Sequence, residues 1–171
     1  MREFTFTQSG PMTRTRLPAI VLLAITACAP ATGEFGEAER EVVRVEVAAA
    51  FDTLSRAMVM HDWDQLEPLF ADGDDVALAM DGNIVLGREA IMRGFRADSS
   101  IKAYLDYRWD NTRIRVMGPD AAIHSTGFWE RLAMTSGDTI ELRGTFTNGF
   151  QRVNGRWRIV HMAASHAPAG G

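Results

Sequence analysis

Four histidines carry most of the chemistry this sequence can offer: His61, His124, His161 and His166. An imidazole with an unperturbed pKa near 6.5 suits general acid/base work at neutral pH. His161 lies in GRWRIVHMAASH, where strand alternation groups Trp157, Ile159, His161, Ala163 and Ser165 on one side and Arg156 and Arg158 on the other. With the arginines facing water, His161 points inward and is the candidate catalytic residue. On the preceding run Leu142, Phe146, Asn148 and Phe150 share the inner face, so Asn148 is a polar group among aromatics. A buried amide or imidazole left unsatisfied costs about 1–3 kcal/mol. A ligand would satisfy both groups, and so would a hydrogen bond between them.

His124 shares a face with Thr126, Phe128 and Glu130, while Trp129 shares the other with Ser125 and Arg131. One face lines the interior and the other meets a second subunit; alternation alone does not choose. In YLDYRWD the parity of Ile114 and Val116 brings Asp106, Arg108 and Asp110 inward, unless a bulge swaps in Tyr107 and Trp109. Arg108 and Asp110 equally form a surface ion pair worth under about 1 kcal/mol. The histidines sit on separate elements without HExxH or Cys/His spacing, and no phosphate-binding glycine motif appears, so neither a metal nor a cofactor is expected. His166, at the edge of the AGG tail, is expected in solvent.

The elements that position these groups follow from periodicity. From Glu37 to His61 the residues Val43, Val47, Ala50, Phe51, Leu54, Met58 and His61 recur at helical spacing, His61 ending the buried stripe, with Glu37, Glu39 and Glu41 at the dipole-favoured start. A turn follows, then a short helix capped by Asp62 or Asp64 that carries Leu66, Leu69 and Phe70 inward. VALAMDGNIVLG reads as a hairpin about Asp81-Gly82-Asn83, and REAIMRGFRAD as a third, short helix. Beyond Ile101, turn residues punctuate four long strand-like runs, an antiparallel meander in an α+β layout.

The chain is 171 residues long, 46% hydrophobic and 23% charged, which suits one domain. A net charge of -4 without basic runs argues against a nucleic-acid partner. Ahead of the domain, Arg14 and Arg16 precede LPAIVLLAITA, an apolar run of secretory length and too short to span a bilayer. It ends in ITAC, which resembles the lipobox of bacterial lipoproteins. The resemblance implies that residues 1–27 are a signal peptide and that Cys28 is lipidated as the first mature residue, anchoring an exported protein in the cell envelope. Cys28 has no cysteine partner in the sequence, so an internal disulfide is excluded. Residues 28–36 read as a flexible tether, 37–166 as the domain and 167–171 as a tail.

Three stretches in order carry a second resemblance: the first helix running into HDWDQLEPLFADGDD, GREAIMRGF from Gly87 to Phe95, and NGRWRIVH from Asn154 to His161. Together they resemble the nuclear transport factor 2-like or SnoaL-like superfamily. That resemblance implies a cone-shaped, curved antiparallel sheet wrapped around the long helix, two short helices, and a pocket at the open end. It also implies a position for Trp63 near the cone mouth, as a gate or as packing. The superfamily's steroid-isomerase pattern wants a helix Tyr and a first-strand carboxylate, where this chain has Phe51 and VALAM. Ala163, where many relatives carry a second His, thins the polar set. The expected pocket residues are Trp63, Asp106, Tyr107, His124, Trp129, Asn148 and His161. The expected function is binding of a small, largely apolar molecule by a membrane-tethered homodimer. The alternatives are an isomerase, dehydratase or hydrolase using His161, and a scaffold module with a filled cone.

Overall fold

The computed structural model describes residues 35–167, so the expected signal peptide, Cys28 and most of the expected tether and tail lie outside the described residues. The first helix, α1 (Glu37–Val59), starts where Glu39 reaches back to accept the Gly36 N–H at 2.6 Å, and it buries Val43, Val47, Phe51 and Leu54 on one face. Full burial of each such side chain contributes about 1.5–3 kcal/mol. The helix stops at Val59, short of the expected end at His61, because the chain turns there: His61 has a left-handed φ of +53° and is not part of the buried stripe. Asp62 then caps α2 (Trp63–Leu66) by accepting the Gln65 N–H at 3.0 Å. A 3-10 turn, Glu67–Leu69, leads to Phe70, which is buried.

The strands β1 (Ala77–Met80) and β2 (Asn83–Leu86) form the expected hairpin, with positive φ at both Asp81 and Gly82, the geometry a tight two-residue connection requires. Helix α3 (Arg88–Ala97) buries Ile91 and Met92. Four long strands follow: β3 (Ile101–Gly118), β4 (Ala121–Met134), β5 (Thr139–Val153) and β6 (Arg156–His166). All six make one curved sheet in the order β2-β1-β6-β5-β4-β3.

The sheet is mixed where an antiparallel one was expected, because β1 pairs parallel to β6, Ala77 opposite His161 and Met80 opposite Ala164. That pairing joins segments some eighty residues apart, which local pattern does not reveal. The ladder carries one register shift between β5 and β6 and four between β3 and β4, and two of these decide the facing of the candidate residues. Between β5 and β6 the register passes from Phe150↔Ile159 to Gly149↔His161, leaving Val160 as an extra residue. Between β3 and β4 it shifts between Asp110 and Arg113, with Asn111 at φ +51°. Such bulges exchange the inward and outward sets of a strand.

Candidate functional site

On the inner face of the sheet the register stacks side chains in rows. The row Ile114, His124, Asn148, Met162 lies under α1; next come Thr126, Phe146, Ala164, then Trp109, Phe128, Gly144, His166. Beyond it, Glu130 faces Tyr107 and Leu142, and Leu132 faces Tyr104 and Ile140. Phe51 of α1 stacks on His124 with centroids 3.8 Å apart and meets Trp109 edge-on at 5.2 Å. Trp109 donates its indole N–H to Ser55 Oγ at 2.9 Å and stacks with Phe146 at 6.0 Å. These rings separate the His124 row from the space beyond.

That space is a cavity of about 450 Å3. Its walls are mainly apolar, from Met58, Leu78, Ile91, Phe95, Leu132 and Leu142 among others, and its floor includes Trp109, Phe128 and Phe146. The polar side chains on it are His61, Asp98, Ser100, Tyr104, Glu130 and His166. At the rim Trp63 lies between two rings, stacked with His61 at 5.3 Å and with Phe95 at 5.7 Å.

His166 is held at two points. Its backbone N–H donates to Asp81 Oδ1 at 3.0 Å, and its ring Nδ1 lies 2.6 Å from Asp81 Oδ2. The backbone N–H first, and then the ring, hold the Asp81 carboxyl below the usual carboxylate range. An ionised Asp81 accepts, so the Nδ1 of His166 carries a proton and donates it. The parallel β1–β6 pairing makes this contact, because it lays the hairpin turn beside the end of β6. Gly144 makes room for it: a Cβ there would lie 2.6 Å from Phe128 Cζ and would collide with the Ser165 carbonyl. The His166 ring thus packs edge-on to Phe128 at 5.5 Å. Burial raises the Glu130 carboxyl above its ordinary range, against a smaller opposing pull from His166. Burial likewise raises the Tyr104 phenol, helped by the charges of Glu130 and Asp98.

The residues expected from sequence are dispersed. Trp63 lines the cavity. His161 does not: the extra residue Val160 turns it outward, where it is exposed, and places Met162, Ala164 and His166 inside. His124 and Asn148 do face inward, but α1 covers them; they are 1% and 0% exposed and form core, not cavity wall. The bulge near Asn111 brings Trp109 in and leaves Asp106 and Arg108 outside, with the Arg108 guanidinium 4.2 Å above Trp129 on the outer face. Tyr107 sits at the sheet edge, 37% exposed, its ring 6.2 Å from that of Trp109. Sequence reasoning missed Asp81, Tyr104, Glu130 and His166; the expectation that His166 is solvated fails because its strand's phase changes at Val160. Among the described residues no group of three His, Cys, Asp or Glu side chains is close enough to hold a metal ion.

A cone-like α+β fold, with a six-stranded curved sheet around one long helix and a cavity at the open end, defines the nuclear transport factor 2-like class. The chain belongs to the SnoaL-like domain family, whose model matches residues 47–170. It is similar to a nuclear transport factor 2-like superfamily protein from Salmonella enterica, at 18% identity and TM-score 0.69 over 77% of this chain and 96% of that one. It is also similar to a hexachlorocyclohexane dehydrochlorinase of type 2, at 13% identity and TM-score 0.67 over 80% and 100%. A protein of Novosphingobium aromaticivorans provisionally assigned as a scytalone dehydratase is 14% identical, with TM-score 0.68 over 76% and 87%. At these identities the likeness is one of fold. No curated protein matches the sequence.

Proposed function

We propose that this protein is a membrane-tethered, exported SnoaL-like domain that binds a small, largely apolar molecule in the cavity at the open end of its cone. The supporting observation is the cavity itself, about 450 Å3, apolar over most of its wall and carrying a few convergent polar side chains. Sites for small molecules commonly have this make-up and a volume of about 300–1,000 Å3. The test fills the space. Apolar small molecules co-purifying with the full chain, read by native mass spectrometry, should be lost from Leu142→Trp while its fold, read by circular dichroism, persists. Equal retention in both proteins would overturn the reading.

The lipobox-like ITAC supports anchoring through Cys28, and Cys28→Ser should move the protein from the membrane to the soluble fraction of the envelope. The outer sheet face supports a homodimer, because small residues at its centre, Ser125, Thr147 and Ala163, lie side by side in register and leave a flat surface. Sedimentation should show a dimer that Thr147→Arg dissociates.

A second reading, acid–base catalysis, moves from His161 to His166. The Asp81–His166 contact of 2.6 Å at the cavity supports it, since a carboxylate that orients an imidazole is an arrangement general acid–base catalysis uses. Candidate substrates carrying an acidic C–H should exchange that proton with solvent deuterium in the presence of the wild type, and more slowly with His166→Gln. Undiminished exchange would remove His166 from the reaction.

A further inference from the structure

The charge on the cavity wall is one-sided. Among the described residues that line it, Asp98 and Glu130 are acidic and none is Lys or Arg. Helix α3 produces part of this asymmetry by its spacing: Ala90, Ile91, Gly94, Phe95 and Asp98 line the cavity, while its arginines pair with carboxylates elsewhere. Arg88 pairs with Asp72, Arg93 with Glu89 at 3.6 Å and Arg96 with Glu67 at 2.6 Å. Each histidine on the wall also has a carboxylate near it. His166 Nδ1 lies 2.6 Å from Asp81 Oδ2, and His61 is close enough to Asp98 to act on its charge. A proton taken up by either ring is offset, and the wall does not become net positive.

Asp98 stands out within this set. It is the C-cap of α3, where its N–H bonds the Gly94 carbonyl at 3.0 Å and where the helix gathers partial negative charge. A carboxylate at that end opposes the helix dipole, so the helix itself does not call for it. Ser100 steadies it, donating its N–H at 2.9 Å and its hydroxyl at 2.6 Å, both to Oδ1. The hydroxyl first, and then the N–H, hold this carboxyl below its ordinary range, so it is ionised at neutral pH. Among the described residues no hydrogen-bond donor meets Oδ2. Two rings stand near: Phe95, three residues back on the same stripe, and Tyr104, whose phenol feels the Asp98 charge. Aromatic rings attract cations at their faces.

We propose that the cavity selects, among apolar molecules, those carrying a protonated amine, and that Asp98 receives the ammonium group. This deepens the proposed ligand-binding reading and rests on it. The apolar wall holds the body of the molecule, while the ammonium meets Asp98, which is exposed and lets the remaining N–H groups stay in water. An anion would face Asp98 and Glu130 with no cationic side chain on the wall to offset them. Burial raises the Glu130 carboxyl, and a bound cation favours its ionised form, so the second acid works in the same direction.

Three naphthalenes of similar shape separate these cases at pH 7: 1-(2-naphthyl)ethylamine, 2-acetylnaphthalene and 2-naphthylacetate, titrated into the full chain by calorimetry. The cationic amine is expected to bind about fivefold tighter than the neutral ketone, as an exposed carboxylate at a helix end allows, and the anion weakest. That advantage should shrink in about 0.5 M salt, which screens an exposed charge. Asp98→Asn should remove most of the amine-to-ketone ratio, and Asp98→Glu, which keeps the charge, should retain it; binding of the ketone reports that each variant is folded. An undiminished ratio in Asp98→Asn would overturn the assignment. If the ketone binds as tightly as the amine, or the anion binds tightest, the cation site is wrong while the cavity reading stands. If none of the three binds, the cavity reading falls and takes this inference with it.

Discussion

Polar side chains face inward at two levels of the same sheet and come to different ends. Near the middle of α1, His124 and Asn148 are sealed, with His124 Nδ1 and both amide atoms of Asn148 lacking hydrogen-bond partners among the described residues. Nearer the far end of β4, Glu130 and its neighbours Tyr104 and His166 line open space. Alternation along β4 delivers both His124 and Glu130 to the inner face, so the strand does not distinguish them. The helix does. It lays Phe51 flat on His124, then ends at Val59, and its last inward residue, Met58, borders the cavity instead of filling it. In this fold the reach of one helix decides which inward polar groups are core and which are available to a ligand.

The contrast can be broken at its seal. Phe51 is 4% exposed and touches His124, Trp109 and Phe146, so Phe51→Ala should destabilise the protein by about 3–5 kcal/mol in urea unfolding. A loss under about 1 kcal/mol would mean that the ring is not what closes the core.

The sealed histidine should next reveal itself by pH. Burial lowers the His124 pKa from 6.5 to about 4, so between these values the unfolded chain binds the extra proton. Its contribution is complete above pH 6.5 and is lost progressively as pH falls toward 4, a change of about 3 kcal/mol. His124→Phe should flatten that part of the stability profile; an unchanged profile would place the dependence elsewhere.

At the open level the sign reverses. Burial raises the Glu130 pKa, so this carboxyl favours the folded state at low pH and disfavours it as pH rises through the folded value. Glu130→Gln should raise the urea midpoint at pH 7, and the gain should vanish near pH 4. A gain that persists at low pH would show that ionisation is not its cause.

The smallest effect belongs to the closed end of the sheet, where Glu46 accepts from the Trp157 indole N–H at 2.9 Å and pairs with Arg152 at 2.5 Å. The indole first and the guanidinium second hold this carboxyl below its ordinary range. Because the pair is partly solvated, Glu46→Gln should cost under about 1 kcal/mol at pH 7, and less as pH falls through the carboxylate range.

Local pattern carried the elements further than the site. The stripe from Val43 to Met58, the Asp81-Gly82 turn and the inward set Leu142, Phe146, Asn148, Phe150 are all legible because each follows from one element's own periodicity. His161 and His166 are not legible, since Val160 interrupts the alternation and nothing in RIVHMAASH marks it. Nor is the Asp81–His166 contact, whose partners lie 85 residues apart and meet through a parallel pairing. For His124 and Asn148 the facing was legible and the cover was not, because cover depends on where α1 lies across the sheet.

The most direct test of the distinction is a two-dimensional NMR titration of the isotope-labelled protein with 2-acetylnaphthalene. The account predicts that resonances of Tyr104, Glu130, Leu132 and His166 shift with a single saturating Kd, while those of Asn148 and of the outward His161 do not move. Shifts centred on Asn148 or His161, with the Glu130 level silent, would contradict it.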